Sequence, residues 1–140
     1  MSKSPSKAKL LLALPTAIVV GILNVFCFFL FMVLYSYVIN PGHEQDFYSE
    51  AANRFGPISS IICGMPLMYL AGRWIGKRVG PQMAVPAALL VWTVYFVLDL
   101  LVVAASGVLM SVLPLFAISF STKLAAVYLG GRHARSLASP

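Results

Sequence analysis

The stretch VPAALLVWTVYFVLDLLVVAA, Val85–Ala105, runs for 21 residues with a single charged side chain, Asp99. A bilayer core takes about 20 helical residues to cross, so this run is long enough to span one. Three other apolar runs accompany it, which places spans at about 10–39, 57–75, 83–105 and 108–130 of a 140-residue chain. Sixty per cent of the residues are hydrophobic and 10% charged, whereas a soluble domain carries about 25% charged residues. The expected fold is an all-α membrane protein: four transmembrane helices in an antiparallel bundle over 10–131, with a basic tail at 1–9 and a second tail at 132–140. No length is left for a soluble domain.

The net charge of +6 would suggest nucleic acid in a soluble protein. Here the basic residues fall in separate clusters that flank apolar runs. Lys3, Lys7 and Lys9 precede the first span, Arg73, Lys77 and Arg78 follow the second, and Arg132 and Arg135 follow the fourth. Glu44, Asp46 and Glu50 make the other side acidic, with His43 and Arg54 among them. By the positive-inside rule both termini are expected in the cytoplasm, N-in and C-in, in a plasma (inner) membrane. Nucleic acid is not expected as a partner.

The first run begins like a signal peptide, but its apolar stretch is about twice a typical h-region and lacks a small-residue exit, so it reads as an uncleaved span. Asn24 is its one strongly polar side chain and is suited to a hydrogen bond with another helix. Tyr35 and Tyr37 fit the aromatic belt at its far end. Asn40-Pro41-Gly42 is a turn signal. In the HEQDFYSEAANRF segment that follows, Phe47, Ala51 and Phe55 recur every fourth residue while Gln45, Ser49 and Asn53 take the other side. That pattern predicts a short amphipathic helix lying flat on the outer surface between spans one and two.

His43, Glu44, Asp46 and Glu50 invite a metal reading, but acids are common in the first turn of a helix. His133, the second histidine, belongs to the opposite end, which also disfavours a bis-histidine haem. No metal and no cofactor are expected. Cys27 and Cys63 are predicted about 18 Å and 9 Å from the outer boundary at 1.5 Å per residue, which is too uneven for a disulfide. They read as small buried apolar residues.

In the second span Ser60 and Gly64 form a small-xxx-small pair for close helix approach, and Pro66 predicts a kink. In the fourth span Lys123 is about 10 Å from Gly130-Gly131 and is expected to snorkel toward the cytoplasmic headgroups. Counted from the Ser106-Gly107 hairpin, Asp99 and Lys123 differ by about 13 Å in depth, too far for an ion pair. An intramembrane carboxylate points by default to a functional site. The candidate polar site is therefore Asp99 with Ser60, Ser111 and Tyr35 within about a turn of its depth, Arg54 able to reach inward from the outer end of span two, and Asn24 as the polar side chain of the first span. Asp99 is expected neutral, donating to a hydroxyl or backbone carbonyl. The alternative is an ionised Asp99 paired with Arg54.

No nucleotide-binding, nucleophile-elbow, zinc-protease or dithiol motif occurs, so an enzyme is not the expectation. The sequence favours an accessory or interaction subunit without catalytic activity of its own, in contact with lipid and with partner membrane subunits or a second copy of itself. The alternative is a small proton- or cation-linked transporter that uses Asp99.

Overall fold

The computed structural model describes residues 10–107 and 109–137. The expected basic tail at 1–9 lies outside them, as do 138–140. The described residues form helix α1 (Ala13–Leu34) continued by a π-helical turn (Tyr35–Ile39), then α2 (Gln45–Val79), α3 (Ala84–Ala105) and α4 (Leu109–Leu137). All four are long and apolar enough to cross a membrane. Their outward faces are strongly apolar. Ile22, Phe29 and Leu101 are each more than 60% exposed, and a contiguous surface of this kind would drive aggregation in water.

The core is thin and built largely from small residues. Ala13, Ala17, Ala71, Ala84, Ala87, Ala88 and Ala134 are buried beside Met68, Ile75, Val91 and Val127. Without a hydrophobic force between helices in lipid, close backbone approach supplies the packing energy. It is concentrated between α2 and α4. A Cβ on Gly72 would overlap the Val127 carbonyl, one on Gly130 would overlap the Tyr69 carbonyl, and one on Gly76 would meet the Ala134 Cβ at 2.7 Å. Gly130-Gly131, expected as the exit from the last span, is instead a packing device inside α4. The helix continues through 132–137, where a tail was expected.

The segment after the first span also differs from expectation. Rather than a separate helix lying flat, Gln45–Phe55 is the beginning of α2, which runs 35 residues without interruption through Pro57 and Pro66. At 1.5 Å per residue it is about 52 Å long, well beyond a hydrocarbon core of about 30 Å. Pro57 costs one backbone bond but does not end the helix, because helical continuation keeps the remaining groups paired. Ser59 Oγ adds a bond beside it by donating to the Gly56 carbonyl at 2.9 Å. The connection before α2 is held by Tyr48, whose hydroxyl donates to the Asn40 carbonyl at 2.9 Å, and by Gly42 at φ 89°. His43 stacks on Phe47 with ring centroids 4.1 Å apart and bonds Asn40 Oδ1 at 3.1 Å.

Candidate functional site: a buried lysine beneath an acidic cavity

Lys123 is fully buried, at 0% exposure, and does not snorkel toward the nearer helix end. The reason is geometric. Cα–Cβ bonds tilt toward a helix's N-terminus, and the N-terminus of α4 lies at the α3–α4 turn, so the stem of Lys123, on the face of α4 packed against α2, is directed away from the nearer helix end. Its Nζ donates to Ser60 Oγ at 2.7 Å and to Tyr95 Oη at 3.0 Å. It also lies over the Tyr95 and Phe120 rings, 4.8 Å and 5.3 Å from their centroids. Gly64 makes this possible, since a Cβ there would overlap Lys123 Cε.

Asn24 completes the group. Its Nδ2 donates to Ser60 Oγ at 3.0 Å and to Tyr95 Oη at 3.1 Å, while its Oδ1 is buried without a partner among the described residues. Each helix thus contributes one polar residue: Asn24 from α1, Ser60 from α2, Tyr95 from α3 and Lys123 from α4. The two hydroxyl oxygens each accept from both the ammonium and the amide. Such a buried ammonium is sustained by charge-assisted bonds and ring faces in place of water.

Asp99 lies one helical turn from Tyr95, on the side of the α3–α4 turn. It lines a cavity of about 320 Å³ together with Ser60, Ser119, Asn53, Phe28 and Phe116. The Lys123 ammonium is bonded to Ser60 and Tyr95 and makes no ion-pair contact with Asp99. Ser60 belongs to both places, as an acceptor for Lys123 and as part of the cavity wall.

Of the residues expected from sequence, Asn24, Ser60 and Asp99 come together here. Arg54 is exposed, and among the described residues it makes no ion pair with Asp99. No hydroxyl or carbonyl among them bonds the carboxyl group either, so neither expected partner of Asp99 meets it. Ser111 is exposed on α4, away from the cavity wall. Tyr35 belongs to an aromatic group with Phe31 and Phe55, at centroid distances of 6.2 Å and 5.3 Å, and its hydroxyl accepts from Asn40 at 3.4 Å.

Tyr95 and Lys123 were missed as site residues. A usable signal was present: Ser119, Lys123, Ala126, Val127, Gly130 and Ala134 follow a helical stripe of small residues, and Lys123 is on it. Cys27 and Cys63 are free thiols, both half-buried, and they lie near one another rather than at the unequal depths predicted.

A second polar group sits at the opposite end. The Tyr69 hydroxyl and His133 Nδ1 share a hydrogen bond, and Arg132 and Ser136 line the shallow depression beside them. Arg78 and Arg132 lie over Trp74 and Tyr128, 5.0 Å and 5.9 Å from the ring centroids. No protein-family model, curated protein or solved structure matches the chain.

Proposed function

We propose that this chain is a small proton- or cation-linked carrier, with the Asp99 cavity and the buried Lys123 as its working site. The observation that carries the reading is the pairing of a lysine at 0% exposure, bonded to Ser60 and Tyr95, with a carboxylate in an adjoining cavity of about 320 Å³. Ionisable groups inside a membrane are costly, and one that faces a bundle interior is by default a candidate for an ion or substrate pathway. A carboxyl group facing open space beside a sealed lysine gives a site whose occupancy by a proton or cation is felt by the lysine. Asp99 holds the cation or proton, Lys123 supplies the opposing charge, and Ser60 connects them.

The carrier is an antiparallel bundle in the inner membrane with both termini cytoplasmic. Arg73, Lys77, Arg78, Arg132 and Arg135 support this orientation, as do Glu44, Asp46 and Glu50 at the other side. The Gln45–Phe55 stretch is its amphipathic outer segment, with Ala51 buried and Glu50 and Asn53 exposed. The test is reconstitution of the full chain in vesicles that enclose a pH-sensitive dye. Proton movement under an imposed cation gradient is expected for the wild type and lost in Asp99→Asn. Equal movement in both would refute the reading.

One observation favours a second reading, an accessory subunit that packs against a membrane partner. Between α1 and α2 runs an open groove of about 520 Å³ whose walls include Pro15, Val19, Leu67, Leu70 and Trp74. Crosslinking in intact membranes separates the two readings, because a stoichiometric adduct at Leu70 is expected only for the accessory subunit.

A further inference from the structure

The carrier reading leaves the cargo open, and the lining of the cavity narrows it. Its polar atoms are few: the Asp99 carboxylate, the Ser60 and Ser119 hydroxyls and the exposed Asn53. Most of the remaining wall is apolar and includes Phe28 and Phe116. A bare inorganic cation needs six or so oxygen ligands in place of its hydration shell, which this wall does not supply. An anion would face Asp99. An organic ammonium ion is different, because its charge is spread over alkyl groups that ring faces and aliphatic side chains can solvate, and one carboxylate suffices as counter-ion.

The protein already solves this problem once. The Lys123 ammonium rests over Tyr95 and Phe120. Phe116 packs on Phe120 with centroids 4.3 Å apart, and Asp99 follows Tyr95 by one turn. One turn closer to the α3–α4 connection, the cavity is lined by residues of the same kinds, the aromatic Phe28 and Phe116 and the hydroxyls of Ser119 and the shared Ser60, and it adds the carboxyl group of Asp99. We propose that the cavity between Asp99, Phe28 and Phe116 binds a small organic ammonium ion. The proposal deepens the carrier reading by naming the substrate class. A volume of about 320 Å³ is at the small end of ligand pockets, so the cation is a single small amine, not a large lipophilic one. Lys123 opposes it electrostatically from beneath and limits its affinity.

The experiment is calorimetric titration of the purified full chain in detergent with choline chloride and, separately, with 3,3-dimethylbutan-1-ol, which has the same shape without the charge. Choline is expected to bind saturably and at least about tenfold more tightly than the alcohol, the difference made by one charge-assisted contact. Asp99→Asn is expected to abolish that preference, Phe116→Leu to weaken choline binding several-fold, and Lys123→Met to tighten it. Circular dichroism checks that each variant is folded. Equal binding of the two probes by the wild type, no saturable choline binding, or an undiminished preference in Asp99→Asn would overturn the proposal; the first two of these need no variant. Asp99-dependent proton flux without choline binding would refute this inference and leave the carrier reading standing. Choline selectivity without flux would uphold the inference and sink the carrier reading.

Discussion

Gly64 of α2 and Lys123 of α4 share one space: the lysine stem passes where a side chain on residue 64 would begin, and a Cβ there would lie 3.3 Å from Nζ and overlap Cε. The position of the ammonium thus depends on a missing methyl group on another helix. Gly64→Ala is expected to destabilise the bundle by about 1 to 3 kcal/mol, the usual cost of overpacking. In a Lys123→Ala background the same change should cost almost nothing. Thermal unfolding of the four variants in detergent measures the coupling, and additive effects would show that the two residues do not meet.

Tyr95→Phe keeps the ring beneath the ammonium and removes the hydroxyl that accepts from both Lys123 and Asn24. The expected cost is about 1 to 3 kcal/mol, because buried donors lose an acceptor. Ser60→Ala should behave alike, and the double variant should lose more than the sum, because each hydroxyl accepts from both donors and removing both leaves the buried ammonium without either acceptor. Chemical denaturation in mixed micelles provides the comparison.

Glycines in contact with backbone should be the least replaceable. A Cβ on Gly130 would overlap the Tyr69 carbonyl and lie 2.9 Å from the Arg73 nitrogen, and neither can swing aside. Gly107 has φ 73° but open space around it. Gly130→Ala is expected to prevent assembly or lower stability by about 3 kcal/mol or more, whereas Gly107→Ala should cost about 1 kcal/mol. Similar melting temperatures for the two would contradict the close approach of α2 and α4.

Four spans were legible because lipid permits few alternatives: an apolar run of this length must be helical to satisfy its own backbone. Asn24, Ser60, Gly64 and Asp99 were legible as exceptions within such runs. One misplacement accounts for most of what was not. Starting the second span at Pro57 set its outer boundary about six residues too far along the chain, or about 9 Å. Moving it back to Ala51 puts Cys63 at the depth of Cys27, and it brings Gly56, Pro57 and Ser60 beside Asp99. Polar side chains and two prolines disguised the continuity of α2, and neither feature ends a helix whose backbone has no other partner. The direction of Lys123 was misjudged for a different reason. Distance to the nearest headgroups was weighed, while the tilt of side chains toward the helix N-terminus was not. Tyr95 is about 7.5 Å from Lys123 in depth, a gap that one lysine stem and one tyrosine ring close between them.

Whether the polar core is a working site or only a staple is decided by Lys123→Met, which keeps the length of the side chain and removes its charge. Ser60 and Tyr95 still have the Asn24 amide as a donor, so stability should be unchanged or higher, as when other buried charges are replaced by apolar side chains of similar volume. Melting temperature and vesicle proton flux, measured on the same preparation, should therefore part company, with stability kept and flux lost. A Lys123→Met protein that is as stable as the wild type and moves protons at the same rate would contradict a working role for the buried lysine.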